Sequence, residues 1–268
     1  MPTASLPMYD LPELRPAMAA LWAGIARALA REGVAEVPAT LVHDVPADEL
    51  WPAPDLLLSQ CCGYDLLHGA ARGLRPLATP CYRAPGCAGP HYLSIVVVPE
   101  GSTAARLEDL RGTVCAINSR CSHSGMNAVR ALVAPLSRDG RFFATVEVSG
   151  AHSASLAMVA SRTADVAAID GVTYALLARH RPAALAGTRP LCRTANAPAP
   201  PFVTRADAPD ELVLRLRTAL HDACADPGLA AVRGALLLDG IEVLPFAAYD
   251  RLKAFERLAS RPGYPVLA

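Results

Sequence analysis

The stretch Thr113-Val114-Cys115-Ala116-Ile117-Asn118, then Ser119-Arg120-Cys121, then Ser122-His123-Ser124-Gly125, decides the fold. A short apolar run stops at Asn118, and after a polar loop Met126, Val129, Leu132 and Val133 return at helical spacing. A strand therefore gives way to a helix that opens near Ser124 and lasts to about Leu136. The same pattern recurs twice downstream. Thr145 to Val148 leads through Gly150-Ala151-His152-Ser153 into a helix over Ser153 to Ser161, and Val166 to Ile169 leads through Asp170 into a helix over Val172 to His180. Strands alternating with helices imply an α/β sheet with parallel strands, and in such sheets ligands sit at the carboxyl ends of the strands. The loops Asn118 to Gly125 and Gly150 to Ser153, together with Asp170, are thus the places for a site.

Outward from this centre the alternation continues. On the amino-terminal side a short strand over Ala4 to Tyr9 precedes a helix whose apolar stripe is Leu14, Met18, Leu21, Trp22, Ile25 and Leu29, closed by Gly33. An extended piece over Val37 to His43 follows, then strands over Leu56 to Ser59 (ending in Gln60), Leu74 to Thr79 and Tyr92 to Val98. On the carboxyl-terminal side Leu191 to Thr194 is followed by the proline-rich Ala197 to Pro201, a connector suited to crossing between lobes because proline stiffens a segment and cannot join a sheet interior. Phe202 to Thr204 and helices around Glu211 to Cys224, Leu229 to Leu236 and Tyr249 to Ala259 complete the chain.

Composition limits the function. The 268 residues carry 25 Lys+Arg and 25 Asp+Glu, so the formal charge is zero, and no Lys/Arg cluster is present to neutralise nucleic-acid phosphates. Hydrophobic residues make up 52% but aromatics only 5%, so the core must be built from Ala, Val, Leu and Ile. Every apolar run is shorter than the roughly 18 to 20 residues of a bilayer helix, which excludes a helical membrane span. Met1 to Asp10 shows neither the basic nor the apolar region of a secretory signal, so the chain as written reads as cytoplasmic. Of the 8 cysteines, Cys61, Cys62, Cys81 and Cys87 fall close together, and Cys62 with Cys87 is a candidate disulfide. Neither Cys-x-x-Cys nor His-x3-His spacing occurs, so no metal site is expected, and no cofactor-binding string is visible.

The chemistry concentrates in the loops. Ser122 and Ser124 stand beside the unpaired N–H groups of a helix start, an arrangement that can cradle a tetrahedral oxyanion; the competing reading is that one of them is a plain N-cap. His152 can donate to an oxyanion or simply cap its own helix, and Asp170 can accept from a ligand amine or hydroxyl or cap the helix after it. Cys121 or Ser124 as nucleophile, His152 as base and Asp170 as its orienting partner would also fill the roles of a hydrolytic triad, although Gly-x-Ser-x-Gly is absent.

Several strings together carry a family resemblance. Leu56-Leu57-Leu58-Ser59-Gln60, Cys62-Gly63-Tyr64, Gly89-Pro90-His91-Tyr92-Leu93-Ser94, Asp109-Leu110-Arg111-Gly112, Ser122 to Gly125, Gly150 to Ser153 and Ala167-Ala168-Ile169-Asp170 occur in this order along nearly the whole chain. They resemble the phosphate/phosphite/phosphonate-type substrate-binding proteins of ABC importers. The resemblance implies a two-lobe type II periplasmic-binding fold, with mixed sheets flanked by helices. Tyr92 to Val98 and Leu191 to Phe202 would be the crossings, residues 1–96 plus 198–268 one discontinuous lobe, residues 97–197 the other, and a ligand cleft would lie between them. It also implies a ligand set of Ser122, His123, Ser124, Gly125, His152, Ser153 and Asp170, joined by Tyr92, Tyr9, Gln60 and Tyr64. Where relatives commonly carry small hydroxyl residues, this chain has His123.

The expectation is a monomeric, non-catalytic receptor without cofactor that delivers a small oxyanion, a phosphonate or related phosphorus compound, to an ABC permease. That role would place it in the periplasm. A cytoplasmic ligand sensor of the same fold is the first alternative and a Cys/Ser-His-Asp hydrolase the second.

Overall fold

A computed structural model describes all of Met1 to Ala268, and its contacts divide the chain into two compact units. The first comprises Met1–Arg83, Ala88–His91 and Pro198–Ala248; the second comprises Ala84–Cys87, Tyr92–Ala197 and Tyr249–Ala268.

The first unit is a five-stranded sheet with strand order β1-β2-β11-β3-β12, made of β1 (Thr3–Ala4), β2 (Leu56–Gln60), β3 (Arg75–Tyr82), β11 (Phe202–Thr204) and β12 (Leu238–Glu242). β1 and β2 run parallel, whereas β11 is antiparallel to both β2 and β3, and β12 is antiparallel to β3. All five residues of β2 are buried, as a continuous apolar run requires of a central strand. Helix α1 (Arg15–Arg31) covers the sheet with the expected stripe of Met18, Leu21, Trp22, Ile25 and Leu29, packing against α7 (Asp210–Ala225). Short helices α2 (Ala47–Leu50), α3 (Gly63–His68) and α8 (Ala230–Ala235) fill the connections.

The second unit is a five-stranded sheet of order β7-β6-β8-β5-β9, made of β5 (Ser94–Pro99), β6 (Val114–Ile117), β7 (Thr145–Val148), β8 (Val166–Asp170) and β9 (Thr188–Arg193). β6, β7 and β8 are parallel, so their carboxyl ends lie along one edge of the sheet; β5 runs against β8 and pairs Ser94 with Asp170, placing its first residue on that same edge. Helices α4 (Ala128–Val133), α5 (His152–Ala160), α6 (Gly171–His180) and α9 (Asp250–Ser260) flank it. The chain leaves the first unit at β4 (His91–Tyr92) and re-enters it at β10 (Ala197–Pro198).

Four expectations are revised. The crossings are narrower than Tyr92 to Val98 and Leu191 to Phe202, because Ser94–Pro99 and Thr188–Arg193 are paired strands inside the second sheet. Residues 249–268, assigned to the first lobe from sequence, belong to the second unit, because α9 lays Leu252 and Phe255 against the segment that follows β6. Ala4 to Tyr9 shortens to the two strand residues Thr3–Ala4 followed by a 3-10 turn at Pro7–Tyr9. The chain forms no disulfide.

Candidate functional site

The site is built at the edge where β6, β7 and β8 end. After β6 the helix does not begin with an ordinary turn. Residues His123–Asn127 form a π-turn closed by Asn127 N–H to Ser122 C=O at 3.0 Å, and only then does α4 begin. Such wide turns insert one extra residue per turn and recur at functional sites. The extra residue changes which side chains share a face. Ser122 caps the turn, its Oγ accepting from the Gly125 N–H at 3.1 Å, so the N-cap reading is met while the hydroxyl hydrogen remains available to donate.

Ser124, 5% exposed, has its Oγ 2.9 Å from His152 Nε2 and 3.4 Å from Ser122 Oγ, while its carbonyl accepts from Ser94 Oγ at 2.9 Å. His152 is the first residue of α5, brought there by Gly150, whose φ of +89° turns the chain after β7 at a conformation L side chains rarely adopt. Burial lowers the imidazole pKa to about 4, so the ring is neutral at physiological pH. Its Nδ1 is buried with no hydrogen-bond partner. A buried orphan N–H is rarer and costlier than a buried orphan acceptor, so the neutral ring carries its hydrogen on Nε2 and donates to Ser124 Oγ. Ser124 is then left with its own hydrogen to give. Ser122 and Ser124 share one hydroxyl hydrogen between them across their 3.4 Å contact, and the other remains to be given.

Gly125 is needed for closeness. A Cβ at this position would come within 2.0 Å of Asn118 Oδ1 and 3.3 Å of His152 Cε1. Asn118, the loop residue straight after β6, was not singled out from sequence; its Oδ1 is the second buried, unpartnered polar atom beside Gly125. Only the spacing of a polar residue at the end of a central strand could have marked it.

The other sequence candidates are distributed as follows. Asp170 Oδ1 accepts from Val172 N–H at 2.8 Å and Thr173 N–H at 2.9 Å, so it caps α6. Because His152 Nδ1 lacks a partner, no carboxylate orients the imidazole and the triad arrangement is not assembled. Ser153 lies exposed on the first turn of α5. His123, 2% exposed, turns away from the hydroxyl pair: its ring packs edge-on to Phe255 at 4.8 Å and lies 6.1 Å from Tyr92, and its Nδ1 accepts from Asn127 Nδ2 at 3.1 Å. Burial and Arg251 push its pKa down to about 3.

In the first unit, Tyr9 stands edge-on to Tyr82 at 5.2 Å, and Gln60 Nε2 donates to Tyr82 Oη at 3.0 Å and Pro200 C=O at 2.9 Å. The structure therefore joins Tyr9 and Gln60 into one cluster through Tyr82, which the sequence did not flag. Tyr64 packs separately on His68 at 4.8 Å.

Two α/β units with paired hydroxyls and a neutral imidazole at the carboxyl ends of parallel strands define the class, a two-lobe binding protein of the periplasmic type. The chain belongs to the phosphonate family of ABC-transporter periplasmic substrate-binding proteins, whose family model matches residues 6–249. Its role in that family is substrate binding in ABC import. No curated protein matches it at a significant level. Among solved structures it is similar to a binding-protein component of an ABC phosphonate transporter from Pseudomonas aeruginosa (16% identity, 97% of this chain and 87% of the other, TM-score 0.77). It is also similar to PhnD1 from Prochlorococcus marinus in complex with methylphosphonate (14% identity, 96% and 97% covered, TM-score 0.73). A third is a Xanthomonas citri protein bound to chloride ion (17% identity, 97% and 98% covered, TM-score 0.71). At these identities the three establish the fold. No helix is long and apolar enough to cross a membrane.

Proposed function

We propose that the chain is a monomeric, non-catalytic receptor that binds a small phosphorus oxyanion, a phosphonate or close relative, and hands it to an ABC permease from the periplasmic side. The observation that carries this reading is the Ser124–His152 hydrogen bond of 2.9 Å, which, with the capped Ser122, gathers two hydroxyls and an imidazole at one point of the sheet edge with a hydroxyl hydrogen left to donate. Neutral donors fixed by their own hydrogen bonds hold an anion without a basic patch, which agrees with the formal charge of zero. Gly125 and Ser153 contribute to the same cradle through the turns that carry them, and Asp170 and Tyr92 border it. Tyr9, Gln60 and Tyr64 are the first unit's contributors to ligand recognition. His123 supports the π-turn. The relative that carries methylphosphonate makes that ligand the first probe.

The test is thermal unfolding against phosphate, phosphite, methylphosphonate, aminoethylphosphonate, sulfate and small carboxylates. A ligand at a hundredfold excess over its Kd stabilises the native state by about 2.7 kcal/mol. A shift in Tm with a phosphorus oxyanion that disappears in Ser124→Ala is the expected result. No shift with any anion refutes the receptor reading.

A further inference from the structure

Two buried acceptors without partners, Asn118 Oδ1 and His152 Nδ1, belong to side chains that both close on Gly125. The point where a Cβ at 125 would sit is 2.0 Å from Asn118 Oδ1 and 3.3 Å from His152 Cε1, the ring carbon between Nδ1 and Nε2. What the pair lacks is one proton. On the opposite side of the same ring, Nε2 is already engaged with Ser124 Oγ.

We propose, resting on the oxyanion reading above, that Asn118 is a positioning residue for specificity: the site takes its phosphorus oxyanion as the dianion, with His152 as an imidazolium whose Nδ1–H donates to Asn118 Oδ1 and whose Nε2–H faces the Ser124 hydroxyl and the ligand.

The proton balance is closed by the ligand. An oxyanion arriving as the monoanion carries one P–OH; that hydrogen leaves the ligand oxygen and is gained at Nδ1 through exchange with solvent, so the net charge of the complex is unchanged. The ligand leaves with all its phosphoryl oxygens as acceptors, matching a cradle made of donors. Without ligand the ring stays neutral because its burial is uncompensated. A dianion at hydrogen-bonding distance supplies the opposite charge, and the Asn118 carbonyl the acceptor, that favour the protonated ring. The surroundings do not compete for that role. Ser124, Gly125 and Asn118 carry no charge; the titratable and charged groups on the neighbouring elements are Arg120 and Cys121 in the loop, His123, which turns to Phe255, Arg130 on α4, which bonds Asn127 and Pro265, Glu147 on β7 and Asp170, whose Oδ1 is taken by α6, and desolvation is the one cause of the His152 shift.

The experiment is nitrogen NMR of histidine-labelled protein together with phosphorus NMR of bound methylphosphonate at about pH 6.5, near the free-histidine pKa. The expected result is protons on both His152 nitrogens and a bound ligand with the phosphorus shift of the dianion. Asn118→Leu should return the ring to neutral and weaken methylphosphonate by about tenfold, the loss of one hydrogen bond to a charged donor. Asn118→Asp should show the imidazolium even before ligand is added, and it decides the matter if Asn118→Leu does not fold. A neutral ring beside a bound monoanion in the parent protein overturns the inference and leaves the receptor function standing. A neutral ring in Asn118→Asp overturns it equally. Absence of binding by every anion of the panel instead removes the function on which the inference rests.

Discussion

Asn127 is the residue whose removal should most damage the second unit without touching the ligand. It is completely buried, and its side chain serves three partners: Nδ2 donates to His123 Nδ1 at 3.1 Å and to Leu252 C=O at 3.1 Å, and Oδ1 accepts from Arg130 Nη2 at 2.7 Å. In Asn127→Ala the loss at Leu252 is small, since its carbonyl lies inside α9 and keeps the helical bond. His123 Nδ1, buried, loses the Asn127 donor, costing about 1 to 3 kcal/mol. Arg130 is worse placed: its Nε already lacks a partner, and only Nη1 keeps Pro265 C=O, at 2.8 Å. Stranding a buried charged donor costs at least as much again, so the total should be about 3 to 5 kcal/mol. The assay is urea unfolding followed by the intrinsic fluorescence of the tyrosines and by far-ultraviolet dichroism, because the two units can unfold separately and one probe would hide that. The midpoint of the second unit should fall while that of the first stays. A loss below about 1 kcal/mol would mean that the network is not a support of the π-turn and would refute the reasoning.

Two further outcomes follow from the same edge of the sheet. Gly125→Ala should displace the Asn118 amide, which would sit 2.0 Å from the new Cβ, and crowd His152; a stability loss of about 1 to 3 kcal/mol and weakened methylphosphonate binding in calorimetry are expected, and unchanged affinity would contradict the packing described. Acid should destabilise the second unit through His123. Its folded pKa of about 3 lies below the roughly 6.5 of an unfolded histidine, so its contribution is complete above about pH 6.5 and is lost as pH falls toward 3, by up to about 1.4 kcal/mol per pH unit. The urea midpoint measured from pH 7 to 4 should drop less steeply in His123→Gln than in the parent, and parallel slopes would rule this out.

The legible part of the fold was the part governed by continuous apolar runs. β2, β6 and β8 are buried central strands, so Leu56–Gln60, Val114–Ile117 and Val166–Asp170 announce themselves as hydrophobic blocks closed by a polar residue. β12 was missed because it pairs on one side only, and its residues Leu238-Asp239-Gly240-Ile241-Glu242 carry two acids and a glycine that an edge tolerates. The antiparallel insertion of β11 between β2 and β3 was equally out of reach, since three residues, Phe202–Thr204, hold no information about direction. At the site, the serine and histidine loops were visible as helix starts after strands. His123 was not separable from its neighbours, because the π-turn shifts it by one residue toward Phe255, and nothing local distinguishes a wide turn from an ordinary one. Asn118 was visible only as the start of the loop after the strand, its closeness to Gly125 being a matter of the folded turn, and Tyr82 was silent because its partner Gln60 lies 22 residues away in sequence.

The return of residues 249–268 to the second unit sets an order of events during synthesis. The bonds from Asn127 to Leu252 and from Arg130 to Pro265 span 125 and 135 residues, and everything between β10 and residue 248 belongs to the first unit. A ribosome therefore has every residue of the first unit behind it before it makes the segment on which His123 and Asn127 close. Until then the hydroxyl-bearing turn stands on an unfinished wall, and a nascent chain cannot hold its anion early. The ability to capture ligand therefore waits on the docking of residues 249–268 against the turn that follows β6.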